Sequence, residues 1–132
     1  MSYMLDTDTC IYIKNRRPPH VIKRFSSLRG GEVVMSLITF GELLNGALKS
    51  NQSIIAREKI NELANILPVL GMTVEVARNY ASIRRKLAEK GQIIGANDLW
   101  IAAHAVTSDS ILVTNNTKEF SRVDGLKIEN WV

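Results

Sequence analysis

The chain has 132 residues, of which 45% are hydrophobic and 23% charged, and a formal net charge of +4. That length suits a single domain over residues 1–132 with a core of its own, and the balance excludes a disordered or fibrous chain. The lone cysteine, Cys10, excludes an intrachain disulfide and suits a reducing compartment, no apolar run approaches the ~20 residues of a membrane span, and the N-terminus lacks the pattern of a signal peptide.

The first predicted element is a short buried strand, "SYML" (2–5), which runs directly into Asp6 and Asp8. "TDTCIYIKN" (7–15) reads as a helix. "RRPPH" breaks it, and paired prolines favour a helix start just after them, so "VIKRFSSL" (21–28) is a second helix, stopped by Gly30 and Gly31. "EVVMS" (32–36) is the second strand. "ITFGELLNGALKS" (38–50) and "SIIAREKINELANIL" (53–67) have helical apolar spacing, carried in the first by Leu43, Leu44, Ala47 and Leu48. "PVLG" (68–71) is a short strand, and "VEVARNYASIRRKLAEKG" (74–91) a long helix with Tyr80, Ile83 and Leu87 as core candidates. "NDLWIAAHAVTSD" (97–109) is apolar nearly all round, which predicts a buried helix. "SILVT" (110–114) and "LKIENWV" (126–132) are the last strands.

Apolar strands alternating with helices predict an α/β fold with a mostly parallel sheet covered on both faces. Ligands in such sheets sit outside the carboxyl ends of the strands. Asp6 follows the first strand, Glu42 lies in the helix after the second, Asp98 opens the helix before "SILVT", and Asn115, Asn116 and Glu119 follow that strand. Aligned strand ends bring these groups together. Carboxylates within ~4–6 Å repel and raise one another's pKa, a conflict that a hard divalent cation with oxygen ligands removes. Each acid also has a purely structural account. Asp8 suits a helix start, Asp98 a first helical turn, and Thr39-x-x-Glu42 a capping box in which Glu42 turns back to the backbone. Asp6 is the hardest to explain this way, since it directly ends an apolar strand.

"YMLDTDTCIY", "SLITFGELLNGA", "GANDLWIAAHA" and "VTNNTKEF", in that order across nearly the whole chain, resemble the PIN-domain ribonucleases, and most closely the VapC toxins of toxin–antitoxin pairs. The resemblance implies a PIN-like three-layer α/β/α fold and hydrolysis of RNA to a 3′-hydroxyl and a 5′-phosphate. It also implies a magnesium site, with manganese as the alternative ion. Asp6, Glu42 and Asp98 take the positions of three metal-binding acids. Two positions depart from the pattern: Asp8 stands where relatives often carry Asn, and Asn116 where many carry a fourth Asp. Glu119, one helical turn from Asn116, is the expected replacement in both the catalytic and the metal set. The resemblance further implies a transfer-RNA substrate, with the anticodon stem-loop of initiator tRNA as the candidate site of cleavage. It implies a cognate VapB-like antitoxin, a homodimer that enters toxin–antitoxin hetero-oligomers, and a cytoplasmic location.

Other side chains receive lesser roles. Thr7 and Thr114 are candidate hydrogen-bond donors to a carboxylate or phosphate. His104 and Cys10 read as core residues. Lys14, Arg16, Arg17, Arg84, Arg85 and Lys86 are candidate phosphate contacts, which would position RNA without reading its sequence. Two other classes fit parts of the pattern. Asp-x-Asp after an apolar strand also opens the aspartate-nucleophile phosphatases, but Cys10 departs from their pattern. A non-catalytic binding module would use the acids as caps alone.

Overall fold

The structure, a computed structural model, describes residues 2–132. Five short strands, β1 (Ser2–Leu5), β2 (Val33–Ser36), β3 (Val69–Leu70), β4 (Ser110–Val113) and β5 (Ile128–Glu129), form one sheet in the order β3-β2-β1-β4-β5. Every neighbouring pair is parallel, so the sheet is wholly rather than mostly parallel. Parallel neighbours need crossovers, and helices supply them: α1 (Thr7–Asn15), α2 (Pro19–Ser26), α3 (Leu37–Lys49), α4 (Ser53–Ile66), α5 (Val74–Glu89) and α6 (Ala96–Thr107), with a one-turn α7 (Thr117–Phe120) after β4.

The alternation of side chains along a strand divides the core in two. Leu5 and Val113 point into a cluster with Ile13, Val21, Leu43 and Leu63 from α1 to α4. Their neighbours Met4 and Leu112 point the other way, into a cluster with Leu87, Leu99, Ala102 and Phe120 from α5 to α7. Helices thus cover both faces, giving the expected three layers. In register, Leu5 pairs with Met35 on one side and Val113 on the other. The residues that come next, Asp6, Ser36 and Thr114, therefore emerge together at the carboxyl edge.

Several expected boundaries move. The second helix starts at Pro19 on a Pro18 N-cap and ends at Ser26, ahead of the glycines; Gly31, at φ 89°, serves the turn into β2 instead. The last strand is two residues long, not seven. Trp131 is buried without joining the ladder, its ring 5.9 Å from Tyr3 and its Nε1 donating to Glu129 at 2.8 Å. Leu48 is 60% exposed and leaves the core to Leu43 and Ala47. The one-turn α7 follows an Asn-Asn pair and supplies the helical turn expected between Asn116 and Glu119.

Candidate active site

Asp6 does two things at once. It is the N-cap of α1, with Oδ1 accepting the Thr9 N–H at 2.9 Å. That bond satisfies one of the free donors at a helix start. Its own N–H donates to the Val113 carbonyl at 2.9 Å, which locks the β1–α1 corner to β4. Asp6 is 7% exposed. Burial lifts its pKa above the ordinary value, hydrogen bonds from Thr114 and Thr9 pull it back, and the charge of Asp8 adds to the rise. Asp8 lies in the first turn of α1, as a dipole-favoured acid would.

Glu42 is not part of a capping box. The N-cap of α3 is Ser36, whose Oγ accepts the Ile38 N–H at 3.1 Å. Thr39 is already inside the helix, fully buried, with a hydroxyl that has no hydrogen-bond partner. Glu42 sits a turn beyond the free donors and cannot reach back to them. It is instead held from across the cleft: Thr7 Oγ1 donates to Oε1 at 2.6 Å and Asn97 Nδ2 donates to Oε2 at 3.3 Å.

Asp98 occupies the first turn of α6, behind a Gly95 N-cap that offers no side chain. Its pKa is pushed up to about 6, first by burial and then by the charges of Glu119, Glu42 and Asp6. All three carboxylates are thus near enough to act on Asp98. Glu119, on α7, accepts a short hydrogen bond from Asn116 Nδ2. A cleft of about 210 Å³ is lined by Asp6, Asp8, Glu42 and Asp98 with Thr7 and Asn116, and by Ile101 and Phe120 on its apolar side. Among the described residues, no three acid, histidine or cysteine side chains stand close enough to form a ready-made metal cage. The acids surround the cleft rather than converge on one ion-sized point.

His104 is a core residue as expected, 2% exposed and hydrogen-bonded to Ser36 and Gly71. Cys10 is fully buried, and burial followed by the charge of Asp6 pushes its thiol well above the usual range. Tyr80 stacks on Trp100 at 3.8 Å, with its hydroxyl accepting from Arg84, and Arg85 pairs with Glu89. Lys14 lines a groove that shares Thr7 and Glu42 with the cleft. Asn97 was missed as a site residue. Its place next to Asp98 was the only local sign, and its partner lies 55 residues away. Ser36 was missed as a cap, although a serine between an apolar strand and an apolar helical run is a standard helix-start signal.

Residues 3–126 match the PIN domain family model. The chain belongs to the PIN-domain family. Within that family it is 39% identical over 132 residues to Ribonuclease VapC2 of Haemophilus influenzae, covering 100% of this chain and 99% of that one. It is 37% identical to the tRNA(fMet)-specific endonuclease VapC of Salmonella typhimurium, covering 99% and 98% of the two chains. Among solved structures it superposes on VapBC2 from Rickettsia felis bound to a promoter DNA fragment with a TM-score of 0.93, at 35% identity and full coverage of both chains. The resemblance to PIN-domain VapC proteins and the three-layer fold it implied are thereby borne out.

Proposed function

We propose that this PIN-domain protein is an endoribonuclease, the toxin of a toxin–antitoxin pair. It hydrolyses RNA at the acidic cleft with a divalent cation, magnesium or manganese, and is neutralised by a VapB-like antitoxin. One observation carries the reading: four carboxylates, Asp6 and Asp8 at the start of α1, Glu42 on α3 and Asp98 on α6, line a single cleft with Glu119 beside Asp98, and none of them pairs with Lys or Arg among the described residues. The donors that reach Asp6, Glu42 and Glu119 are hydroxyls, amides and backbone N–H groups. The negative charge is therefore left for a cation to balance, and an all-oxygen donor set suits a hard one.

Asp6, Glu42, Asp98 and Glu119 are the residues that would hold the ion. When bound, such an ion lowers the pKa of a water and neutralises charge on the phosphate under attack. The chain's own groups do the rest. The N-cap bond and the β4 contact fix Asp6, Thr7 and Asn97 hold one oxygen each of Glu42, and Asn116 holds Glu119. Asp98, with its pKa raised to about 6, is ionised at neutral pH, and a proton competes with a cation for its carboxylate only as pH falls toward 6. Ile101 and Phe120 close the apolar side of the cleft. Attack by water rather than by the ribose hydroxyl leaves a 3′-hydroxyl and a 5′-phosphate. We take the initiator transfer RNA as the substrate, because a relative covered over 98% of its length is named a tRNA(fMet)-specific endonuclease, and the anticodon stem-loop as the cut site that the family resemblance implies. A homodimer, assembly with the antitoxin, and a cytoplasmic location complete the reading.

The test is RNA cleavage by purified protein with magnesium or EDTA, together with sequencing of RNA ends after brief expression without antitoxin. Asp6→Ala, Glu42→Ala and Asp98→Ala are each expected to abolish cleavage and growth toxicity while the protein stays folded. Full cleavage by a folded Asp6→Ala protein, or cleavage indifferent to EDTA, overturns the reading. A trapped phosphoenzyme would replace it with a phosphatase.

A further inference from the structure

His104 lies outside the acidic cleft, and its surroundings allow one arrangement of protons. Its Nε2 is 3.1 Å from the Gly71 carbonyl, which only accepts, so Nε2 carries the hydrogen and donates. Nδ1 is then the lone-pair nitrogen, and the Ser36 hydroxyl, 2.8 Å away, donates to it. The same Ser36 oxygen accepts the Ile38 N–H as the cap of α3. Each bond fixes the direction of the next, and every polar group in this buried chain is satisfied. Burial also holds the imidazole below its ordinary pKa, which favours the neutral form the arrangement needs.

One end is Ser36, the last residue of β2 and N-cap of the helix that carries Glu42, and the other is His104 on the helix that carries Asp98. Ser36 precedes Glu42 at α3 by as many residues as His104 follows Asp98 on α6. A second polar rung, Asn97 to Glu42, joins the same two helices at the cleft. Where they touch, α3 and α6 therefore run antiparallel, with one buried rung about 9 Å along the axis from the rung at the site. Half of the buried residues of α6 are alanine (Ala102, Ala103, Ala105), beside Leu99 and Ile101, and small side chains make shallow ridges, so a directional polar rung adds to the lock that apolar packing gives. Ion coordination tolerates only about 0.2 Å in its distances.

We propose that Ser36 and His104 are positioning residues, whose buried hydrogen bond sets the register of α3 against α6 and so the separation of the Glu42 and Asp98 carboxylates. This rests on the metal-site reading above. The test is Mn²⁺ binding by calorimetry on RNA-free protein, with RNA cleavage as a second readout. Ser36→Ala removes the rung and the cap. His104→Gln is a second variant, chosen to fold: its amide can still donate to Gly71 but leaves Ser36 without the Nδ1 acceptor. Both are expected to weaken Mn²⁺ binding by roughly tenfold or more, the usual effect of losing a residue that orients a ligand. Ser36→Thr, which keeps the hydroxyl, is expected to restore parent affinity. Val21→Ala, in α2 and the other core cluster, serves as a control that lowers stability without touching the rung. Variants that bind Mn²⁺ as the parent does, or a Val21→Ala protein that loses as much affinity, overturn the proposal alone. A parent protein that binds no Mn²⁺ overturns the metal-site reading and this proposal with it.

Discussion

Replacing Asp98 by Asn should make the metal-free protein more stable at neutral pH, and the size follows from the burial of its charge and then the crowding of the acids. Burial and the neighbouring acids push the Asp98 carboxyl up to about 6 in the folded protein from its ordinary value of 3.8. The native state therefore binds the proton more tightly than the unfolded chain. As pH rises through the window from about 4 to about 6, the native state loses stability relative to the unfolded state, and the loss is complete above it. The full shift corresponds to a ceiling of about 3 kcal/mol, and solvent screening of a part-exposed carboxylate cuts this to about 1–2 kcal/mol. The Asn variant forfeits a favourable interaction with the start of α6, about 0.3–1 kcal/mol. Relief of the buried, crowded charge outweighs that loss, leaving the variant up to about 1.7 kcal/mol more stable, or up to about 6 °C in Tm. The assay is a set of melting curves in EDTA between pH 3.5 and 8. The stability difference should open between pH 4 and 6 and stay constant above. Adding ~10 mM magnesium should raise the parent's Tm more than the variant's, because a ligand stabilises in proportion to its binding of the native state. A variant that melts below the parent in EDTA at pH 7.5, with an undiminished magnesium shift, would return Asp98 to the role of a first-turn acid.

Glu119→Gln should raise the magnesium concentration needed for half-maximal cleavage several-fold. Asn116→Asp should lower it, while melting below the parent in EDTA, because it sets two carboxylates at hydrogen-bond distance; variants that titrate like the parent would remove both side chains from the site. Phe120→Ala, which empties a fully buried position on α7, should cost about 3–5 kcal/mol in urea denaturation. A loss below about 1 kcal/mol would mean that α7 does not pack as described. Cys10 should resist iodoacetamide in the folded protein and react only on unfolding, since the thiol is fully buried and held in its neutral form; rapid alkylation under native conditions would contradict its place in the core.

The layers of the fold were legible because the signals behind them are local. An apolar run such as "VVM" or "ILV" leaves a strand little choice, and strands separated by helical spacing force parallel pairing. The errors arose where tertiary contact overrides local pattern. "LKIENWV" is apolar enough to extend a strand, yet Trp131 buries its ring beside Tyr3 and within reach of Arg24, 5.5 Å from the ring centroid, with no ladder bond required. At "SLIT", Ser36 and Thr39 are both cap-forming residues, and only the end of β2 decides between them. The decision has chemical consequences: a cap at Thr39 would have turned Glu42 back onto its own helix, whereas a cap at Ser36 leaves it free to meet Thr7 and Asn97.

Asp6 shows why treating cap and site as alternatives was the wrong opposition. A helix start gathers free N–H donors, and an acid there is held rigidly by a bond to one of its two oxygens. A rigid carboxylate with an oxygen to spare is what a cation site needs from each of its ligands. Beginning α1 directly at the carboxyl end of the central strand thus makes one residue end the strand, cap the helix and face the cleft. Asn97 and Asn116 follow the same logic from the other side. Each is a neutral donor next to or within a turn of an acid, and each steadies a glutamate without cancelling its charge. A Lys in either place would hold its glutamate at least as firmly, but it would also cancel the negative charge on which the proposed cation site depends.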